Sequence, residues 1–305
     1  MHAIEADHLV KSFGPVRAVN DVSIAVETGE IFGFLGPNGA GKTTTIRLLT
    51  GVLGPDAGSV RIFGTDMQKN PLVAKLKMGV IPENSTVYGD ITAEQNILWM
   101  AKFYGLDRKT REDRADEILK RLGLEKRRND LVRTFSKGMR QRISIACAIV
   151  HAPPLLILDE PTTGLDVQSR RLVIDTVRHM NETGSTILLT THNIEEANAL
   201  CTTVGIINKG KIIVSESPER LKQTFGSITY VEVAFEQDVD RDIFTHPDIT
   251  KAERWGDKWR ITTDNPDRVV KFLGSVAEQK NLTIISIATS GITLEDAFIK
   301  ITENL

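Results

Sequence analysis

Cysteine is nearly absent. The 305 residues hold two, Cys147 and Cys201, far apart and each in an apolar stretch (IACAIV and NALCTTV). Two such thiols make neither a disulfide framework nor a cysteine metal site, and they read as buried, reduced side chains in a reducing cytosol. Long apolar runs are also missing. The longest, such as LLIL at 155–158, fall far short of the ~20 residues that a membrane helix needs. The N-terminal MHAIEADHLV lacks the basic-then-apolar order of a signal peptide. Any role at a membrane then requires another polypeptide to supply the span. Excess charge is absent as well: a formal net charge of −2 points neither to nucleic acid nor to an anionic membrane. There is no low-complexity segment and no internal repeat. What remains is 41% hydrophobic and 26% charged, ordinary for a globular protein of one large or two modest domains.

The N-terminal part reads as strands over 2–10 and 16–26, with Gly14-Pro15 as a turn. IFGFLG at 31–36 is a short buried strand running into a glycine-rich loop, and TTTIRLLTGVL is a helix with Ile46, Leu49 and Leu53 on one face, stopped by Gly54-Pro55. SVRIFG (59–64) is a further strand. From about 85 to 150 the chain becomes helical, with charged outer faces on NILWMAKFYGL and REDRADEILKRLGL. LLILDE (155–160) returns to a buried strand; SRRLVIDTVRHMNETG is a helix closed by Gly184, and STILLTTH is the next strand. TTVGIIN and KIIVSE flank a turn at Lys209-Gly210. Strands alternating with helices imply a largely parallel α/β sheet covered on both faces.

PERLKQTFG (218–226) reads as a linking helix between an N-terminal domain, 1–220, and a smaller one, 227–305. In the latter, ITYVEVAF is a strand, DVDRDIF a short helix, and TKAERW with KWRITT a hairpin about Gly256-Asp257. PDRVVKFLGSVAEQKN is a helix, LTIISIAT a strand, and TLEDAFIKI a helix capped by Thr293 with Asp296 three residues on. That order, βαββαβ plus a helix, predicts a small α+β ferredoxin-like domain.

Gly36 to Thr43, GPNGAGKT, fits the phosphate-loop pattern G-x-x-x-x-G-K-S/T and lies between a predicted strand and helix. Glycines here let backbone N–H groups turn toward a phosphate; Lys42 supplies a point charge for the β- and γ-phosphates, and the Thr43 hydroxyl a Mg²⁺ ligand. Asp159 at the end of LLILD suits the Mg²⁺ or its water, and Glu160 suits polarising a water for attack on the γ-phosphate. His192 ends another parallel strand at its carboxyl end, where open α/β sheets place ligands, and is assigned to the γ-phosphate. An apolar strand ending in acids, or a lone histidine at a strand end, is otherwise ordinary surface chemistry; the phosphate loop upstream decides for nucleotide hydrolysis.

FSKGMRQR (135–142) offers a second anion site: Ser136 and Gly138 sit where a helix begins. Together with the phosphate loop, LLILDE, Gly164-Leu165-Asp166 and His192, it resembles the ATP-binding cassette (ABC) family over residues 1 to about 220. The resemblance implies a P-loop NTPase cassette with a RecA-like parallel core, an N-terminal antiparallel part and a helical subdomain at about 85–150. It makes Ser136, Lys137, Gly138 and Met139 the family's signature, and it implies that two cassettes stack head to tail, each signature closing the partner's ATP. By the same carry-over, the nucleotide contacts are Gly36, Pro37, Asn38, Gly39, Ala40, Gly41, Lys42, Thr43 and Thr44, with Phe13 stacking on adenine. Asp166 falls in the loop that crosses to the partner's site. Glu83 stands where most relatives carry a glutamine metal ligand, so the metal set is Thr43, Glu83 and Asp159. Lys137 and Met139 also depart from the usual LSGGQ.

The stretch 83–105 takes the place of the family's contact with a membrane permease. Its Tyr88, Trp99, Phe103 and Tyr104 either form that contact or pack the helical subdomain internally. The C-terminal unit is similar to the accessory domain of drug-resistance and sodium-efflux cassettes, which implies an exporter subunit at the cytoplasmic face of the cell membrane, using ATP and Mg²⁺. The rival reading is a cassette ATPase acting on ribosomes or nucleic acid; those relatives usually carry two cassettes or a long coiled-coil insertion, and neither is seen here. RNA binding by the C-terminal sheet is disfavoured because Trp255 and Trp259 are predicted on opposite faces of the hairpin.

Overall fold

The computed structural model describes residues 1–83, 87–225 and 229–303. Residues 84–86 of the predicted permease-contact stretch, Gly226 of the predicted linking helix and Ile228 at the start of ITYVEVAF lie outside them. The chain divides into two compact units, Met1–Ser217 and Pro218–Leu305.

In the first unit, β1 (His2–Phe13) and β2 (Val16–Glu27) form a long antiparallel hairpin, and β3 (Ile31–Leu35) leads into α1 (Lys42–Leu49). There follow β4 (Ala57–Ile62), β5 (Thr65–Asp66), α2 (Pro71–Leu76) and β6 (Met78–Ile81). The helical stretch comprises α3 (Ala93–Phe103), α4 (Arg108–Arg121) and α5 (Lys137–Ile149). Then come β7 (Leu155–Asp159), α6 (Val167–Glu182), β8 (Thr186–Thr191), α7 (Ile194–Leu200), β9 (Thr203–Asn208) and β10 (Lys211–Glu216). A four-stranded sheet is ordered β2-β1-β4-β5, and a six-stranded one β10-β9-β3-β8-β7-β6. In the larger sheet β9, β3, β8, β7 and β6 are parallel and only β10 pairs antiparallel. One core, including Phe32, Phe34, Ile46, Leu49, Leu155 and Leu188, fills the space between the two sheets and α1.

Strand order positions the site. β3, β8, β7 and β6 lie side by side and parallel. Their carboxyl ends carry the 36–43 loop, His192, Asp159-Glu160 and Glu83 in turn. With strands about 4.8 Å apart, four segments scattered over some 150 residues of sequence meet at one sheet edge.

Several boundaries differ from the sequence expectation. α1 ends at Leu49, so Leu53 lies beyond it. Gly51, at φ 64°, closes the helix: its N–H donates to the Leu48 carbonyl and that of Val52 to Arg47, a Schellman arrangement. Gly54-Pro55 thus begins three residues past the true stop. α2 and α7 are additional short helices, and α4 starts at Arg108 because Asp107 caps it, accepting from Thr110 N–H at 3.0 Å.

The second unit holds α8 (Pro218–Phe225), β11 (Thr229–Phe235), β12 (Lys251–Trp255), β13 (Lys258–Thr263), α9 (Pro266–Gln279), β14 (Ile284–Gly291) and α10 (Leu294–Glu303). Its sheet order, β12-β13-β11-β14, is all antiparallel and is that of the split βαββαβ fold. The predicted helix at DVDRDIF is only a 3-10 turn, Arg241–Phe244. α8 is not a free linker: it packs with α10, burying Leu221 and Ala297. Trp259 is buried in this unit's core, whereas Trp255 is exposed and stacked over Arg260 at 3.9 Å.

Candidate nucleotide site

At the shared strand ends lies a cavity of about 330 Å³, lined by Pro37, Asn38, Gly39, Gly41, Lys42, Thr43 and Thr44 of the loop together with Ala18, Glu83, Glu160, Thr163 and His192. Gly41 stands before α1 at φ 108°, and a Cβ there would fall 2.4 Å from the Ala18 carbonyl oxygen. Only glycine fits. With no side chain to cap it, the first turn of α1 presents its N–H groups and the positive end of its dipole at the cavity. The loop is clamped from behind: Gly210 N–H donates to the Ala40 carbonyl at 2.9 Å and Asn20 N–H to that of Gly210 at 2.8 Å. Gly36 and Ala40 therefore support the loop rather than line the cavity.

Lys42 is buried, donates to the Gly36 carbonyl at 2.7 Å and lies 3.6 Å from Glu160. Glu160 is held from two further sides. Its Oε2 accepts from Thr163 Oγ1 at 2.9 Å and from His192 Nδ1 at 2.7 Å; a carboxylate only accepts, so the imidazole carries the proton on Nδ1. The sequence assigned His192 to a phosphate, whereas in this structure it is bound to Glu160. Asp159, almost fully buried, accepts from Thr190 Oγ1 at 2.7 Å and lies 3.4 Å from Thr43 Oγ1. Glu83 lines the same cavity.

Phe13, half exposed at the end of β1, does not line this cavity. Neither do Ser136, Lys137, Gly138, Met139 and Asp166. They form a separate cluster where α5 and α6 begin. Ser136 caps α5, accepting from Met139 N–H at 3.3 Å; Asp166 caps α6, accepting from Ser169 N–H at 2.8 Å and Oγ at 2.9 Å. Those bonds from Ser169 hold the Asp166 carboxyl below the usual range. Gly138 lies between the two helix starts: a Cβ on it would come 2.3 Å from Ser169 Oγ, so this glycine has a packing reason of its own.

The sequence reading missed Thr163, Thr190 and Ala18. Thr190 is one of three buried threonines in β8, and nothing in the sequence set it apart from Thr186 and Thr191. Ala18 carried no signal, because its carbonyl meets the loop only through tertiary packing. The aromatic stretch divides. Tyr88, Trp99 and Phe103 are exposed, meet edge to face with centroids 6.0 Å apart, and line a cavity of about 100 Å³ that Ser144 and Cys147 of α5 also line. Tyr104 turns inward and stacks on His151 at 3.4 Å. No helix among the described residues is long and apolar enough to cross a membrane.

Comparison with known proteins shows the family. A family described as "ABC transporter" matches residues 19–163. The chain is 34% identical over 304 residues to the linearmycin resistance ATP-binding protein LnrL of Bacillus subtilis, covering 98% of each. It is 40% identical over 225 residues to the daunorubicin/doxorubicin resistance ATP-binding protein DrrA of Streptomyces peucetius, covering 74% of this chain and 68% of that one. A solved structure of an ATP-binding subunit of an ABC transporter superposes with a TM-score of 0.69 at 31% identity, over 73% of this chain and 93% of the other. These relatives favour transport over the ribosome or nucleic-acid reading. The phosphate loop, the two acids at the end of β7 and the near-complete match to LnrL together make the chain a member of the ABC transporter family, as a subunit that binds and hydrolyses ATP.

Proposed function

We propose that this subunit drives an exporter by hydrolysing MgATP between two cassettes, at the cytoplasmic face of a membrane and docked on a separate permease. The observation that carries this reading is the Glu160 carboxylate, fixed by Thr163 and His192 and facing Lys42 across the phosphate-loop cavity. Lys42 binds the β- and γ-phosphates. Glu160 takes a proton from the attacking water, and His192 first orients that carboxylate and then supports the γ-phosphate. Thr43 Oγ1 and the Asp159 carboxylate, 3.4 Å apart, with Glu83 on the same cavity, form an oxygen donor set that fits a hard cation completed by phosphate and water. Mg²⁺ bound there would neutralise charge building on the phosphates.

Ser136 and the α5 N-terminus face a partner's γ-phosphate, with Asp166 in the crossing loop and Phe13 against adenine. Losing the γ-phosphate then loosens the pair, as in other phosphate switches. The exposed Tyr88, Trp99 and Phe103 receive the permease. Residues 218–305 form an accessory domain outside the ATPase machinery. The resistance proteins LnrL and DrrA and a Nod factor export ATP-binding protein among the relatives support export as the direction.

The test is Glu160→Gln, followed by ATPase rate and by size with and without MgATP. The rate is expected to fall ~100-fold or more, the scale of a general base, and the variant to shift from monomer to dimer only with ATP. An unchanged rate would remove Glu160 from the mechanism and turn attention to Glu83.

A further inference from the structure

Glu160 has φ of 51°, a left-handed conformation that residues with side chains rarely adopt. A continued strand would send it to the opposite face from Asp159. The left-handed turn is what lets its carboxylate line the same cavity as Lys42 and Thr43. Something must hold that turn, and the holder is on the next strand.

Glu160 N–H donates to Thr190 twice, to its carbonyl at 3.2 Å and to its Oγ1 at 2.9 Å. The same Oγ1 donates to Asp159 Oδ1 at 2.7 Å. A hydroxyl has one hydrogen and two lone pairs. Its hydrogen goes to Asp159 and a lone pair takes Glu160 N–H, so each bond fixes the direction of the other. The parallel register places Asp159 directly opposite Thr190. Alternation sends Thr191 the other way, and its hydroxyl accepts from Asn193 N–H at 2.9 Å instead. Thr190 is fully buried and Asp159 nearly so, which shields the bonds from water.

We propose that Thr190 is a positioning residue for ATP hydrolysis: one buried hydroxyl orients the Asp159 carboxylate and at the same time locks the strained backbone that aims Glu160. It is fully buried, does not line the cavity and acts through the two acids, so it rests on their assignment above. Valine keeps the shape and the β-branching but cannot make either bond. It leaves Asp159 Oδ1 with Thr43 at 3.4 Å and Glu160 N–H with the carbonyl alone.

The experiment compares full-length Thr190→Val, Thr190→Ser and Glu160→Gln with the wild type. It measures kcat and KM for ATP, melting temperature, and hydrogen exchange at the Glu160 amide without added nucleotide. Thr190→Val is expected to lower kcat about 10- to 100-fold, the usual cost of an outer-shell partner, with KM nearly unchanged and a faster-exchanging Glu160 amide. Thr190→Ser should restore both. Wild-type exchange and kcat in Thr190→Val would overturn the proposal. So would equal damage from serine and valine, which would assign the effect to packing of the methyl group. If Thr190→Val does not fold, Thr190→Ala carries the same comparison against serine. A full rate in Glu160→Gln would sink the base assignment and the catalytic role of Thr190 with it, while amide exchange would still report separately whether the hydroxyl holds the turn.

Discussion

Glu160 in the first unit and Asn281 in the second share a φ of 51° but hold it by different means. Asn281 follows the last turn of α9. Its N–H donates to the Glu278 carbonyl at 3.3 Å and that of Leu282 to Ala277 at 2.8 Å, a helix stop in which asparagine is a natural left-handed residue. Everything that fixes it lies within five residues. Glu160 is a poor residue for that conformation and is held by Thr190, thirty positions away. The same contrast runs through the two units. Among the described residues, the first buries Lys42, Asp159, Thr190 and Glu196 among others, whereas the buried polar residue of the second is Thr263. Its hydroxyl merely accepts from Asn265 N–H at the entry to α9. Polar burial sustained by long-range bonds marks the chemistry; polar burial solved locally marks a scaffold.

The comparison is broken most severely at Lys42. Lys42→Ala is expected to reduce ATP hydrolysis about 100- to 1000-fold, as removal of a preorganised charge partner does, with little change in melting temperature. A steady-state rate assay decides it. In the second unit the opposite pattern should hold. Leu273, fully buried on α9 against the β11–β13 face, should on change to alanine destabilise its own unit by about 2–5 kcal/mol in urea unfolding, with the ATPase rate at low denaturant within twofold of wild type. A large rate loss there would mean that the scaffold unit takes part in turnover.

His151 sharpens the contrast inside the first unit, being polar and part-buried yet not among the residues that line the phosphate-loop cavity. Burial depresses its pKa from 6.5 to about 4, against the opposing pull of the Met78 carbonyl. The unfolded chain therefore binds a proton that the folded one refuses. The stability this represents is complete above pH 6.5 and is lost as pH falls toward 4. His151→Phe should flatten that limb of a melting-temperature profile while the rate at neutral pH stays put. The smallest effect belongs to Asn281. Asn281→Ala should cost about 1 kcal/mol and Asn281→Gly almost nothing, read by differential scanning calorimetry.

Much of the nucleotide site was legible because its parts are local. A phosphate loop needs its glycines, lysine and threonine within eight positions, and Gly36 to Thr43 supply them between a five-residue strand, β3, and a helix. Asp159 and Glu160 end an apolar run, and His192 ends another. Errors arose where a local signal had a nearer competitor. Gly54-Pro55 reads as a helix stop, but Gly51 already completes one. DVDRDIF has helical composition but too few residues between Asp240 and Thr245 for more than one 3-10 turn.

By itself the sequence determined the strand–loop–helix of the phosphate site, the acids at the end of β7, the start of α5, and the split α+β pattern of the second unit. Each depends on contacts within a few residues, which pattern and propensity record directly. Tertiary structure alone decided that Glu160 turns left-handed under Thr190 and that His192 binds Glu160. It also decided that Ala18 backs the loop, that Gly138 must be bare to admit Ser169, and that Tyr104, alone of the four aromatics, stacks on His151. These contacts are set by strand order and register, which bring distant residues together without any trace in the sequence around either one.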